Sequence, residues 1–249
     1  MEAYTGFAYV YDEYMDNIPY EEWSAYMISL LKENGVKKDD CILELGCGTG
    51  TVTRILKKEG FDCFGLDMSE DMLSIASEKT FEEDLEIIYT CQDMRDFEIP
   101  YTADAMISIG DSMNYITNTL DLVSVFECVK NNLKEGGVFI FDLKTIHFFR
   151  DVLGENTFAE NREESAFIWD NYYNSEDRNN EYELAVFVMN EDGTFDRFEE
   201  QHYQHGFTVE EVCECAKQAG LSVLHVYNAF THEKPDDNSE RLYFIIENN

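Results

Sequence analysis

Three short stretches of this chain carry the residue types that a nucleoside-like ligand needs. The first is Cys41-Ile42-Leu43-Glu44-Leu45-Gly46-Cys47-Gly48-Thr49-Gly50, an apolar run ending in alternate glycines. The second, Phe61 to Leu66, is another apolar run and closes on Asp67. The third, Leu85 to Cys91, leads into Gln92-Asp93-Met94. Glycines let the backbone approach a ligand where a Cβ would clash, and the helix that follows offers free N–H groups. A carboxylate about 20 residues beyond such a turn can accept hydrogen bonds from both ribose hydroxyls, and Asp67 stands there. Asp93 could accept from an adenine amino group while Met94 covers the ring, although an aspartate in such a loop also caps its own backbone. The turn departs from the pyrophosphate pattern G-x-G-x-x-G, because Thr51 stands where the third glycine would fall. The first two units in register predict an adenosyl ligand.

These residues need a frame that brings them together. Ile42–Leu45, Phe61–Leu66, Leu85–Cys91, Ala103–Ile109 and Val138–Asp142 read as strands. Helical spacing separates most of them, with Ser69 as an N-cap and Met72, Leu73 and Ala76 on one face of the following helix. Pro19 to Asn34 reads as a leading helix closed by Gly35, and Asp121 to Leu133 as another. Lys134-Glu135-Gly136-Gly137 reads as a turn. Such alternation predicts an α/β, Rossmann-like, doubly wound, mostly parallel sheet with helices on both faces. Right-handed crossovers put the loops after its strands on one edge, where Gly46, Gly48, Asp67, Asp93, Gly110 and Asn114 converge.

From about Lys144 to Gly206 the pattern turns strand-rich and aromatic. Asp192-Gly193 marks a hairpin between Glu181–Met189 and Phe195–His205. We expect an antiparallel β insertion of three or more strands, acting as a lid or a dimer surface. In period-two reading Phe198, Glu200, His202 and Gln204 share one of its faces. The core then resumes with the capping box Thr208-Val209-Glu210-Glu211, a helix closed by Gly220, and strands at Leu221–Tyr227 and Arg241–Ile246. The chain is expected to be one domain over residues 1–249, with its core at about 20–143 and 207–249, an N-terminal aromatic flap at 1–18 and the insertion at about 144–206.

Composition narrows the function. The 249 residues carry 52 acids against 18 bases, a net charge of −34. That argues against nucleic acid, which is held by Lys and Arg at phosphates, and against anionic membrane surfaces. The first residues hold no apolar signal segment, and no apolar stretch approaches a membrane span. Seven scattered cysteines without C-x-x-C fit reduced thiols in a cytoplasmic protein, and no metal site is expected among the five histidines.

Glu44-Leu45-Gly46-Cys47-Gly48-Thr49-Gly50, Gly65-Leu66-Asp67-Met68-Ser69 and Cys91-Gln92-Asp93-Met94 resemble the successive binding motifs of class I S-adenosylmethionine (SAM) dependent methyltransferases. The opening Phe7-Ala8-x-x-Tyr11-Asp12 is similar to that of a group of small bacterial members, many of unknown substrate. The resemblance implies a seven-stranded sheet whose last strand runs antiparallel between strands five and six. It implies SAM as cofactor, with Tyr11, Glu44, Gly46, Cys47, Gly48, Asp67, Met68, Met72, Gln92, Asp93, Met94, Gly110 and Asn114 around it. Met68 would pack on the adenine, and the loop Gly110-Asp111-Ser112-Met113-Asn114-Tyr115 would face the methyl. The Asn/Asp-Pro-Pro-Tyr motif for methylating bases or glutamine is absent after strand four. The expected activity is methyl transfer to O or N of a small molecule. His202 is the favoured general base, because it shares a lid face with Glu200; His147 is a second candidate and Tyr11 an orienting group. The alternatives are an NAD-dependent oxidoreductase of the same doubly wound class, or a SAM-binding protein without turnover whose insertion serves a partner.

Overall fold

The computed structural model describes residues 11–12, 14–16 and 18–249. Tyr4, Phe7 and Tyr9 of the expected flap lie outside the described residues.

Helix α1 (Tyr20–Glu33) leads into β1 (Cys41–Leu45), α2 (Thr51–Lys58), β2 (Asp62–Asp67), α3 (Glu70–Glu82), β3 (Ile88–Cys91) and β4 (Ala103–Ser108). A 3-10 turn (Ser112–Tyr115), α4 (Thr119–Asn132) and β5 (Leu133–Lys144) follow. The chain closes with α5 (Val209–Gln218), β10 (Ser222–Asn228) and β11 (Arg241–Glu247). The sheet order is β10-β11-β5-β4-β1-β2-β3. The β1, β2, β3, β4 and β5 pairings are parallel, while β11 is antiparallel to both β5 and β10. The last strand therefore sits between strands five and six, as the resemblance implies.

Both sheet faces are buried because successive side chains point to opposite sides. Ile42, Ile107, Ile140 and Ile245 pack with Met27 and Leu31 of α1 and with Leu56 of α2. Leu43, Met106, Phe139 and Phe244 pack with Phe126 and Val129 of α4 and with Val212 of α5. Local signals place the helix starts. Ser69 Oγ accepts the Met72 N–H at 3.2 Å, Asn118 Oδ1 accepts that of Asp121 at 2.9 Å, and the Thr208–Glu211 capping box forms in full.

The expected turn at Lys134–Gly137 is instead the start of β5. The Gly136 N–H donates to the Asn248 carbonyl at 2.6 Å, and the Asn248 N–H to that of Gly137 at 3.0 Å. Tertiary partners near the C-terminus draw this segment into the strand, with Gly136 at φ +76°, which its own composition did not announce.

The insertion is a separate antiparallel sheet, β6-β7-β8-β9, formed by Thr157–Asn161, Ser165–Asn174, Asn179–Met189 and Phe195–His205. Strand β6 escaped the sequence reading. Leu184 and Val186 pack around Tyr14, beside Tyr11, Met15 and Trp169. Glu200, His202 and Gln204 are buried on β9, with Arg197, Glu199, Gln201 and Tyr203 exposed between them.

Candidate functional site

The loops at the carboxyl edge of β1 to β4 enclose a cavity of about 670 Å³. Its wall takes Gly46, Cys47 and Gly48 from the first loop and Asp67, Met68 and Met72 from the second. Gln92 and Met94 come from the third, and Gly110, Ser112 and Tyr115 from the fourth. Glu44, Tyr11, Tyr20 and Trp23 also line the cavity. Tyr11 hydrogen-bonds Tyr20, while burial pushes the Tyr20 phenol up to about 12.

The glycine turn is tied to the neighbouring strand. The Gly46 and Cys47 N–H groups both donate to the Leu66 carbonyl, at 2.7 and 3.0 Å. Gly46 has φ +70°, and a Cβ there would lie 2.5 Å from Ser112 Oγ. Gly48 has φ +53° with open space where its Cβ would be, so its backbone can meet a ligand directly. The Asp67 carboxylate accepts the Gly48 N–H at 2.8 Å and the Ser69 N–H at 2.9 Å. Burial raises its pKa, and those two N–H groups work against the rise. The carboxylate is thus fixed in direction, on the cavity wall, before any ligand arrives. Asp12 adds an outer clasp: it accepts from the Thr49 hydroxyl at 2.8 Å and pairs with Lys79.

Glu44 is fully buried, and burial pushes its carboxyl up to about 8, with the Thr53 hydroxyl bond opposing. The native state therefore holds a proton that the unfolded chain loses above about 4.5, the ordinary glutamate value. Stability is highest below this window and falls as pH rises through it toward 8. Linkage sets the loss at no more than about 5 kcal/mol, at about 1.4 kcal/mol per pH unit. Glu44→Gln is expected to remove that decline, so that the melting temperatures of the two proteins diverge between pH 5 and 9. Parallel curves would show that Glu44 is ionised throughout.

Four of the expected residues do not line the cavity. Asp93 sits beside Gln92 on the same edge, but its carboxylate is gripped by the Arg95 guanidinium, whose Nε lies 3.0 Å from both of its oxygens. That hydrogen-bonded pairing holds the Asp93 carboxyl below its ordinary value. Its partner is thus an arginine two residues on along the same loop. Asn114 is 0% exposed and joins chain segments instead. Its amide donates to the His205 and Lys144 carbonyls at 2.9 and 3.2 Å, and its carbonyl accepts the Lys144 N–H at 2.9 Å. It thereby clamps both ends of the inserted sheet. His202 is 1% exposed, one layer behind the wall. Its Nδ1 meets the Tyr115 hydroxyl at 2.9 Å and its Nε2 meets Glu200 at 3.1 Å. His147 is turned to Asp151, 2.8 Å away, and also lies off the cavity.

Tyr20 and Trp23 line the cavity without having been singled out, and Ser112 and Tyr115 of the loop expected to face the methyl line it too. Tyr20 and Trp23 fall in an amphipathic helix, where an aromatic ring reads as core. Asp111, just before the Tyr115 turn, has φ +71°, a conformation that costs a non-glycine residue about 1–2 kcal/mol. Lys144 and Arg241 hold it there, each 2.6 Å from its carboxylate. Burial opposes the Asp111 charge, but those two cations outweigh it and its pKa is lowered.

The donor set fits an adenosyl group. Asp67 is a pre-aimed acceptor for ribose hydroxyls, Gly48 leaves room for close backbone approach, and Met68, Met72 and Met94 offer apolar cover for a base. Among the described residues no group of three or more His, Cys, Asp or Glu could hold a metal ion. No helix there is long and apolar enough to cross a membrane.

Residues 42–137 match a family described as a methyltransferase domain. The chain is 36% identical to YqeM of Bacillus subtilis (strain 168), which is named provisionally as a methyltransferase, over 97% of this chain and 95% of that protein. The crystal structure of a SAM-dependent methyltransferase from Clostridium acetobutylicum ATCC 824 superposes with a TM-score of 0.87 at 30% identity, covering 99% of both chains. SAM-bound CalS10 from Micromonospora echinaspora, described as an amino pentose methyltransferase, shares the fold with a TM-score of 0.74 at 19% identity. That pair covers 97% of this chain and 96% of CalS10.

Proposed function

The chain belongs to the class I SAM-dependent methyltransferases, and on that premise we propose that it methylates an oxygen or nitrogen of a small-molecule acceptor. One observation carries the acceptor class. The same cavity that joins the glycine turn to Asp67 continues to an end walled by Tyr11, Tyr20, Trp23 and Tyr115. Its volume of about 670 Å³ falls within the range of about 300–1,000 Å³ usual for small-molecule sites. The fold also serves small amine-bearing sugars in CalS10, by that protein's description.

SAM, when bound, supplies an electrophilic methyl on a sulfonium whose leaving thioether is neutral, so no acid is needed for departure. The chain's task is then to hold an acceptor behind that methyl and to accept its proton. Asp67, the Gly46–Gly48 backbone and the methionines anchor the adenosyl end. The aromatic end excludes water and orients the acceptor, and orientation alone is worth up to about 7–11 kcal/mol in favourable cases.

Calorimetric titration with SAM, S-adenosylhomocysteine and NAD, followed by a labelled-methyl screen against a metabolite extract, tests this reading. Binding of SAM with label in a small acceptor is the expected result. Label only in macromolecules would refute the acceptor class, and SAM binding without label in any fraction would favour the non-catalytic alternative.

A further inference from the structure

We propose that Tyr115 takes a proton from an amine acceptor while passing its own to His202, which Glu200 orients. This deepens the methyltransferase reading above and rests on it. Tyr115 would be the catalytic residue, and His202 and Glu200 positioning residues that act through it.

Charge gives the acceptor class. The carboxylates lining the cavity are Asp67, Glu70 and Asp71, the buried Glu44 beside them holds its proton, and no Lys, Arg or His is among the lining. The residues outside the described set carry none either. The nearby Lys144 and Arg241 are committed to Asp111 and Asp142. A phosphate or carboxylate acceptor would find no counter-charge on that wall. An ammonium group would find the aromatic rings of Tyr11, Tyr20, Trp23 and Tyr115, which attract cations. An ammonium has no lone pair, however, so its proton must leave before methyl transfer.

The hydrogen bonds give the route. The Tyr115 hydroxyl lies 2.9 Å from both His202 Nδ1 and the Tyr182 hydroxyl, so that in donating to His202 it accepts from Tyr182, and His202 Nε2 lies 3.1 Å from Glu200. A carboxylate accepts only, so Nε2 carries the proton and the neutral Nδ1 accepts from Tyr115. Tyr115 belongs to the 3-10 turn that Asn114 and Asp111 fix in place, whereas His202 and Glu200 belong to β9. The relay therefore spans the joint between the inserted sheet and the core. Among the described residues, the titratable groups facing His202 are Tyr115, Tyr182 of β8 and Glu200 of its own strand. The Tyr182 ring stacks on the imidazole, with centroids 4.5 Å apart at 12°.

In the step itself the ammonium N–H bond breaks and its proton joins the Tyr115 oxygen. The former Tyr115 proton moves to Nδ1, leaving an imidazolium between the Glu200 carboxylate and the Tyr182 ring. The freed amine lone pair forms the N–C bond as the C–S bond breaks, with that electron pair remaining on sulfur. The His202 proton then returns through Tyr115 to water.

Two measurements on the full chain test this. Methyl label from SAM is followed into a metabolite extract before and after its amines are capped by N-acetylation. At least a tenfold loss on capping is expected. Label that survives capping overturns the proposal alone, whereas an untreated extract that takes no label overturns it together with the underlying reading. Nitrogen NMR of the imidazoles is expected to show the His202 proton on Nε2, and a proton on Nδ1 overturns the relay without any substrate. On a labelled acceptor, Tyr115→Phe and His202→Gln should each lower kcat about 10²–10⁴-fold at neutral pH, the range of a general base. SAM affinity should stay unchanged. The Tyr115→Phe rate should climb with pH as free amine accumulates, and a loss that is equal at every pH would show a merely structural role.

Discussion

Asp67→Ala is expected to weaken SAM binding about 10²- to 10⁴-fold. The carboxylate lies on the cavity wall and is held by the Gly48 and Ser69 N–H groups at 2.8 and 2.9 Å. Two ribose hydroxyls donating to it would each contribute about 1.5–3 kcal/mol, the range for hydrogen bonds to a charged group, and about 1.4 kcal/mol is tenfold in affinity. The substitution also releases the Gly48 N–H and loosens the backbone approach at the same point. Burial raises the Asp67 pKa, so its charge is a cost to the unliganded fold at neutral pH. Its melting temperature is therefore expected to change little while binding collapses. Asp67→Asn, which keeps one acceptor oxygen, should fall between. Calorimetry that finds unaltered affinity in Asp67→Ala would remove the ribose assignment.

Gly46→Ala acts through the opposite pathway, and its largest effect falls on the fold itself. The residue has φ +70°, where a Cβ costs about 1–2 kcal/mol. The new methyl would also lie 2.5 Å from Ser112 Oγ and 2.6 Å from Ser112 Cβ. The hydroxyl could swing away but the Cβ could not, and overpacking of this kind costs about 1–3 kcal/mol. A total loss of about 2–5 kcal/mol is expected in denaturant unfolding, with SAM binding lost as the turn shifts. Adding Ser112→Gly removes the clash but not the strained backbone, so the double variant should recover part of the stability. A single variant as stable as the parent would mean that the turn does not have this conformation.

The core of the fold was legible because local and global signals agree there. Two-sided apolar strands such as Val138–Phe141 alternate with capped helices, and the Ser69 and Thr208 caps both form. The motif residues fell into place for a related reason: Gly46, Gly48 and Asp67 act through backbone conformation and strand position, which short-range sequence carries. Asp93 and Asn114 lie off the cavity, where partners the sequence pattern does not reveal hold them. Arg95 claims the first carboxylate, and Asn114 is spent on the carbonyls of Lys144 and His205, two chain ends that meet only in the folded molecule.

The same division runs through the active edge. By itself the sequence determined the doubly wound sheet, the adenosyl-binding motifs, the inserted strands and the pairing of Glu200 with His202 on one β9 face. Alternation and glycine spacing are properties of neighbouring residues, so they can be read along the chain. Only the tertiary structure decided that His202 stands behind Tyr115 rather than on the cavity wall, and that Tyr20 and Trp23 of α1 join that wall. Those positions depend on how the inserted sheet and α1 dock onto the core. That docking is set by packing between segments distant in sequence, and no local period records it.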